Sequence, residues 1–408
     1  MSRFRSVLEA AGHKFRTKGI SPRVTGISIS AIKEMPILAQ QVPGAVSLGQ
    51  GIPSFRTPAH IRAAVARALE GEDWIGKYSL QPGWPRLKEA VAASLGRDMD
   101  IAVNPATEVF ISTGSMEALF AAMMAVVEPG GEVIMTAPNY ASHVEQVLLA
   151  GGTVQWAPLI EENGWRLDLD AVRRAVGPKT RAVILCNPLN PTGTVFSEAE
   201  VRGLAEICLE KDIFLISDEA YNHMVYGRER PFSAVRLPEL KDHLIACFSF
   251  SKKYAVTGWR VGYMYASAGV IDQCLKVHDA VSISAPTISQ VAALAALEGP
   301  QDCVAEMVAE LGARRDLMCR RLDELAPAFT YQKPEGAYYV FVRFNFPDMG
   351  SNDLALKLLF EARVITIPGQ AFGPNGDRFI RLSFGGTREE INLAFDRIAE
   401  WLKARGEK

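Results

Sequence analysis

Long apolar runs are missing from this chain. No window approaches the ~18 consecutive apolar residues that a membrane span needs, which sets a spanning protein aside. An excess of one charge is missing too: 44 Lys and Arg stand against 46 Asp and Glu, a net charge of −2. That balance argues against nucleic acid or an anionic membrane as the main partner. Paired cysteines are absent as well. Cys186, Cys208, Cys247, Cys274, Cys303 and Cys319 are widely spaced, with no CxxC and no His pair at ligand spacing, so neither a disulfide framework nor a metal is expected. Most lie in apolar runs, the pattern of buried thiols in a reducing compartment. No signal-peptide apolar segment opens the chain. Residues 1–23 carry Arg3, Arg5, Lys14, Arg16, Lys18 and Arg23 against Glu9 alone. A transit peptide has a similar balance, but a basic N-terminal arm is the simpler reading, and a cytoplasmic location is the expectation.

What is present is a chain of 408 residues with 48% hydrophobic and 22% charged residues. At about 150 residues per domain this means two or three domains, large enough to fold without staples. From about residue 105 to 285, short apolar runs alternate with helical patterns. Strands are expected at Val109–Ser112, Val133–Thr136, Val154–Leu159, Ala182–Cys186, Ile213–Ser217, Leu244–Phe248 and Val261–Tyr265. Helices are expected from Ser115, over Val144–Leu149, over Leu169–Val176 and over Glu198–Glu210. Apolar runs without internal alternation fit strands buried on both faces. Strands separated by helices imply βαβ units. The expected fold is therefore α/β, with a mostly parallel sheet and helices on both faces. Beyond residue 300 the pattern changes to a long helix over Glu306–Leu325, strands at Ala337–Phe344 and Phe379–Phe384, and a helix over Glu389–Leu402. This suggests a smaller α+β domain of residues 1–54 and 301–408 beside a large domain of 55–300.

In open α/β sheets ligands bind beyond the carboxyl ends of the strands, so the residues following each run carry the functional signal. Thr113-Gly114-Ser115-Met116 feeds a helix at once. It reads either as an ordinary turn with Ser115 as N-cap or as a phosphate site at a helix N-terminus. Asn187-Pro188-Leu189-Asn190-Pro191-Thr192-Gly193 is a rigid turn that aims the Asn190 amide. Asp218-Glu219-Ala220-Tyr221 puts a carboxylate at a strand end, where it either caps a helix or meets a cation. Ser249-Phe250-Ser251-Lys252-Lys253 leads to Thr257-Gly258-Trp259-Arg260. A lysine beside a phosphate cradle and a buried carboxylate matches the needs of pyridoxal phosphate.

In these residues the chain resembles the fold-type I pyridoxal-phosphate enzymes, specifically the class I/II aminotransferases related to aspartate aminotransferase, from about residue 30 to 400. Asn187–Gly193 is similar to the family's Asn-Pro-x-Asn-Pro-Thr-Gly, Asp218–Tyr221 to its Asp-Glu-x-Tyr, and Ser249–Gly262 to its Ser-x-Ser-Lys with Thr-Gly-Trp-Arg-x-Gly. The resemblance implies that Lys252 forms the Schiff base and shuttles the proton, and that Asp218 pairs with the pyridine nitrogen. It implies that Asn190 and Tyr221 bond the ring's phenolic oxygen, and that Ser249, Arg260, Ser115 and the backbone of Met116 hold the phosphate. Tyr140 takes the place of the ring-stacking aromatic. Tyr78 is where the family reaches the neighbouring subunit's phosphate, which implies a homodimer. Arg381 matches the arginine that grips the substrate carboxylate, helped by Gly51. The physics is consistent with these roles. Burial and the nearby Arg260 lower the basicity of Lys252, and a guanidinium meets a carboxylate with two bonds. Transfer from an L-amino acid to a 2-oxo acid in ping-pong order is the implied reaction.

Other motifs fail on context. Gly71–Lys77 has P-loop spacing, but Tyr78 replaces the required Ser/Thr and a helix precedes it; Gly49-Gln50-Gly51 lacks the rest of a dinucleotide fingerprint. His143 and His223 read as hydrogen-bonded structural histidines. Two alternatives stand beside the transaminase: a C–S β-lyase using the same Lys252, and an aminotransferase-like ligand sensor, for which the N-terminal segment is too short. Ile52, Met116 and Tyr140 suggest an apolar pocket and an aromatic or aliphatic donor.

Overall fold

The structure is a computed structural model that describes residues 19–27, 31–71, 73–227 and 230–406; of the basic arm read at residues 1–23, residues 1–18 lie outside them. Strand β1 (Val46–Ser47) belongs to the N-terminal segment. Seven strands then form the main sheet: β2 (Val109–Ser112), β3 (Glu132–Ala137), β4 (Thr153–Pro158), β5 (Thr180–Cys186), β6 (Phe214–Asp218), β7 (Leu244–Ser249) and β8 (Gly262–Ala266). Their order is β2-β8-β7-β6-β5-β3-β4. The pairs from β7 through to β4 are parallel, while β8 runs antiparallel to both β2 and β7. The reversal follows from the short link Phe250–Val261, which holds only single helical turns and cannot make a crossover.

Both sheet faces are apolar, and the period of two divides each strand between them. Ala182 and Ile184 pack with the face covered by helices Ser115–Val126 and Ala268–Val281. Val183 and Leu185 pack into the larger cluster on the other side. Local chemistry sets the helix ends: Ser197 and Glu200 form a reciprocal capping box at the start of Glu198–Lys211. The expected strands and helices are present with ends displaced by a few residues. The long C-terminal-half helix begins at Asp302 rather than Glu306.

The second sheet consists of β9 (Phe329–Tyr331), β10 (Tyr339–Phe344), β12 (Ile367–Pro368) and β13 (Phe379–Ser383), in the order β12-β13-β10-β9 and antiparallel throughout. Strand β11 (Val364–Ile365) pairs parallel with β1, tying residues 46–47 to this region. Strand β10 starts at Tyr339 rather than Ala337, because Ala337 takes φ +53° and breaks the extended run. Among the described residues no helix is long and apolar enough to cross a membrane.

Candidate active site

Registry brings the strand ends together. Cys186 pairs with Asp218, Asp218 with Cys247, and Ser249 and Ser112 both pair with Gly262. Asn187, Asp218, Ser249, Gly114 and Arg260 therefore emerge along one edge. A pocket of about 460 Å³ opens there, lined by Gly51, Ser115, Met116, Tyr140, Asn190, Asp218, Tyr221, Ser249, Lys252, Arg260 and Arg381. Of the residues expected from the sequence, only Tyr78 stays away from it. Its side chain is 78% exposed in the single chain.

One end of the pocket is a cradle. Gly114, at φ +75°, is the N-cap of the helix that begins at Ser115, so the cap is Gly114 and not Ser115 as expected. The first N–H groups of such a helix have no intrahelical acceptor and face the pocket edge. A Cβ on Gly114 would lie 2.6 Å from Arg260 Nη2, and one on Gly262 would lie 2.6 Å from Ser115 N. Only glycine lets the guanidinium and the helix start converge this closely. The turn is locked from behind: Glu117 accepts from Thr113 N at 2.6 Å and meets His278 Nδ1 at 2.5 Å. A phosphate dianion suits this set of donors.

Asp218 sits at the centre. Its Oδ1 accepts from Ala220 N at 3.0 Å in a turn, and no helix follows, which corrects the helix-capping alternative. Its Oδ2 is 3.1 Å from His143 Nε2, and His143 Nδ1 is 2.8 Å from Asn139 Oδ1. Asn139 Nδ2 in turn donates to Thr136 Oγ1 at 3.0 Å. His143 is thus a hydrogen-bonded histidine, as expected, but the group it holds is Asp218. Tyr140 lies edge-on to it, with ring centroids 5.4 Å apart.

Lys252 rides on one helical turn, Phe250–Lys253, whose start is capped by Ser249 Oγ accepting from Ser251 N at 3.1 Å. Its Nζ donates to Gly51 O at 2.6 Å. Burial, then Arg381 and Arg260, push its pKa down to about 8 against the opposing pull of Asp218. Lys253 is also lowered to about 8, chiefly by burial, yet it turns away towards Asp98, 4.0 Å from it. Basicity does not separate the two lysines; direction does.

Opposite the cradle, Arg381 projects from β13 with 1% exposure. Nη1 donates to Asn190 Oδ1 at 3.0 Å and Nη2 to Gly49 O at 2.6 Å, while the guanidinium lies over the Tyr339 ring at 4.2 Å. Its Nε is buried with no hydrogen-bond partner among the described residues, a donor left for a carboxylate. Sequence reasoning missed Tyr339, whose hydroxyl bonds Tyr221 at 2.9 Å. Two adjacent tyrosines opening a buried strand were the available signal, since buried hydroxyls demand partners. The residues fit pyridoxal phosphate: a phosphate cradle, an aromatic face, a carboxylate for the ring nitrogen and a lowered-pKa lysine share one pocket.

Comparison with known proteins agrees. The family model for aminotransferase class I and II matches residues 43–398. The chain is 33% identical to aromatic-amino-acid aminotransferase 2 of Thermococcus litoralis, over 95% of this chain and 99% of that protein. It is 32% identical to aspartate aminotransferase of Pyrococcus abyssi over the same shares. Among solved structures, the aspartate aminotransferase of Thermus thermophilus with maleate superposes with a TM-score of 0.88 at 33% identity, covering 95% of this chain and 100% of that one. The aromatic aminotransferase of Pyrococcus horikoshii gives 0.85 at 33% identity, covering 92% and 99%. With the family model spanning most of its length and these relatives nearly all of it, the chain belongs to the class I and II aminotransferases and is a pyridoxal-phosphate-dependent transaminase.

Proposed function

We propose that this enzyme transfers the amino group of an aromatic or aliphatic L-amino acid to a 2-oxo acid in ping-pong order, with Lys252 as the lysine that holds the cofactor and carries the proton. The observation that supports this most is that Lys252, and not Lys253, lines the pocket shared by Asp218 and Arg381. Bound pyridoxal phosphate supplies the electron sink for the pair left when the substrate Cα–H bond breaks. The protein does the rest. Ser115, the Met116 backbone, Ser249 and Arg260 would hold the phosphate, Asp218 would pair with the ring nitrogen, Tyr140 would cover the ring, and Asn190 and Tyr221 would bond the ring oxygen. Arg381, with Gly51, clamps the substrate carboxylate, and Lys252 Nζ, lowered to about 8, moves the Cα proton.

The donor class rests on the pocket walls, where Ile32, Pro36, Ile52 and Met116 supply apolar surface beside Tyr140. Single-donor absorption spectra of the loaded enzyme test both points. Bleaching of the visible band by phenylalanine, leucine or methionine supports the reading, whereas far faster turnover of aspartate and glutamate overturns the donor class. Release of pyruvate and ammonia with the band intact would instead mark a lyase.

We further propose that residues 55–300 form the large domain and 1–54 with 301–408 the small one, supported by the β1–β11 pairing. A homodimer in which Tyr78 serves the neighbouring site is supported by exposed Tyr78, Leu80 and Val281. The loop of Tyr78 and Leu80 is pinned by Thr287 Oγ1 donating to Lys77 O at 2.6 Å. Light scattering should then give twice 44.6 kDa. Six unpaired cysteines support a cytoplasmic location.

A further inference from the structure

The carbonyl of Gly51 carries two donors. Lys252 Nζ reaches it at 2.6 Å and Tyr338 Oη at 2.7 Å, filling both lone pairs of one oxygen. Tyr339 Oη packs so close to Gly51 that a side chain there would clash with it. The two tyrosines thus grip one residue, Tyr339 against its Cα and Tyr338 at its oxygen. Successive residues of a strand face opposite sides. Tyr338 escapes that rule because it precedes β10, just after Ala337 at φ +53°. Both rings are buried, with centroids 4.8 Å apart, and Tyr221 packs edge-on to each.

We propose that Tyr338 is a positioning residue for the reaction: its hydroxyl fixes and shares the carbonyl on which the Lys252 amine rests whenever that amine is free. This rests on the reading of Lys252 as the proton-carrying lysine. A carbonyl oxygen already engaged by one donor attracts a second, charged donor less strongly, so Tyr338 weakens the hold on the ammonium form and favours the free amine. The charged groups that act on the amine are Arg381 from β13, Arg260 from the turn after Trp259 and Asp218 at the end of β6; Lys33 also lines the pocket. Tyr140, Tyr221 and Tyr339 supply hydroxyls to the same pocket. Burial and the neighbouring Tyr339 push the Tyr338 hydroxyl well above its ordinary value, so it remains a neutral donor across the working range.

The test uses the full-length enzyme freed of cofactor. Trace acylation at a series of pH values, read by mass spectrometry with fragmentation, gives separate titration midpoints for Lys252 and Lys253. In Y338F the Lys252 midpoint should rise by about 0.5–1 pH unit, while Lys253, which bonds elsewhere, keeps its own. In loaded Y338F the ascending, acid-side limb of the kcat–pH profile, which reports the free amine, should shift up in the same way, with KM unchanged. A Lys252 midpoint that stays put, or one that moves together with that of Lys253, overturns the inference. Y338F keeps the ring, which lies 5.9 Å from the amine and favours its charged form. A second variant, Tyr338→Leu, removes that ring as well as the hydroxyl, so its Lys252 midpoint must rise by less than in Y338F, and a larger rise overturns the inference. Borohydride reduction of the loaded wild type separates the two failures. Cofactor fixed on another residue overturns the reading of Lys252 itself. Cofactor fixed on Lys252, with equal midpoints in wild type and Y338F, overturns only the role of Tyr338.

Discussion

The two walls of the pocket are built differently. On the main-sheet wall the groups proposed to face the cofactor are tied from behind by short local chains: Asp218 through His143 and Asn139 to Thr136, the Thr113 turn through Glu117 to His278, and the lysine turn through the Ser249 cap. On the small-sheet wall, Arg381 takes its partners from residues 49 and 190, far away in sequence, and keeps a buried Nε without one among the described residues. The contrast fits a resident group that is always held and a substrate that comes and goes. A site whose groups are held in place from behind before binding is preorganised, whereas an orphaned buried donor costs free energy until a ligand supplies its acceptor.

The comparison can be broken most severely at the point where both walls meet. K252A should lower kcat by ~10⁴-fold or more and abolish borohydride-fixed cofactor, while a retained fixed cofactor would refute its role. On the substrate wall, R381A should raise KM by ~10²-fold, from loss of a buried charge-assisted contact, yet leave the cofactor's absorption band in place. R381K should recover little of the loss, because an ammonium cannot reproduce the fork. On the cofactor wall, H143A should weaken cofactor retention by about 10-fold, measured by dialysis, with KM nearly unchanged. If H143A moved KM more than cofactor binding, the division of labour between the walls would fail.

The smallest effect concerns Glu219, buried beside Asp218 and bonded by Ser217 and Ser233 at 2.8 and 2.7 Å. Burial, against the help of those serines, raises its carboxyl from 4.5 to about 7. Between those values the folded state holds a proton that the unfolded chain has released, so stability falls as pH rises through that window. In E219Q this component is absent. Relative to wild type, the variant should gain up to about 3 kcal/mol between pH 4.5 and 7, read from denaturant unfolding at each pH. A constant difference across the window would refute the raised value.

How much of this was readable in the chain differs from residue to residue. The main sheet was readable because each strand is a compact apolar run followed at once by its functional residues, so Asp218 and the Lys252-Lys253 pair stand out by position, while the choice of Lys252 and the role of Asp218 came from the resemblance. Arg381 and Gly51 were reachable only through resemblance, since nothing local to Phe379–Ser383 marks an inward-facing arginine as a ligand. Tyr338 and Tyr339 were not reached. Strand alternation assigns neighbours to opposite faces, and only the left-handed turn at Ala337 puts both against Gly51. The capping of the Gly114 turn was misassigned by one position, because a glycine at φ +75° rather than a side-chain oxygen starts that helix.

The sequence by itself determined the α/β order, the strand ends that bear the site and the residue types the chemistry needs, because apolar periodicity and turn chemistry act over a few residues. Only the tertiary structure decided which of two adjacent lysines enters the pocket, which groups hold Asp218 from behind, and that a single carbonyl from residue 51 serves both Lys252 and Tyr338. Those are contacts between segments up to 287 residues apart, as between Tyr338 and Gly51. They are fixed by how the two sheets meet and leave no local trace in composition or spacing.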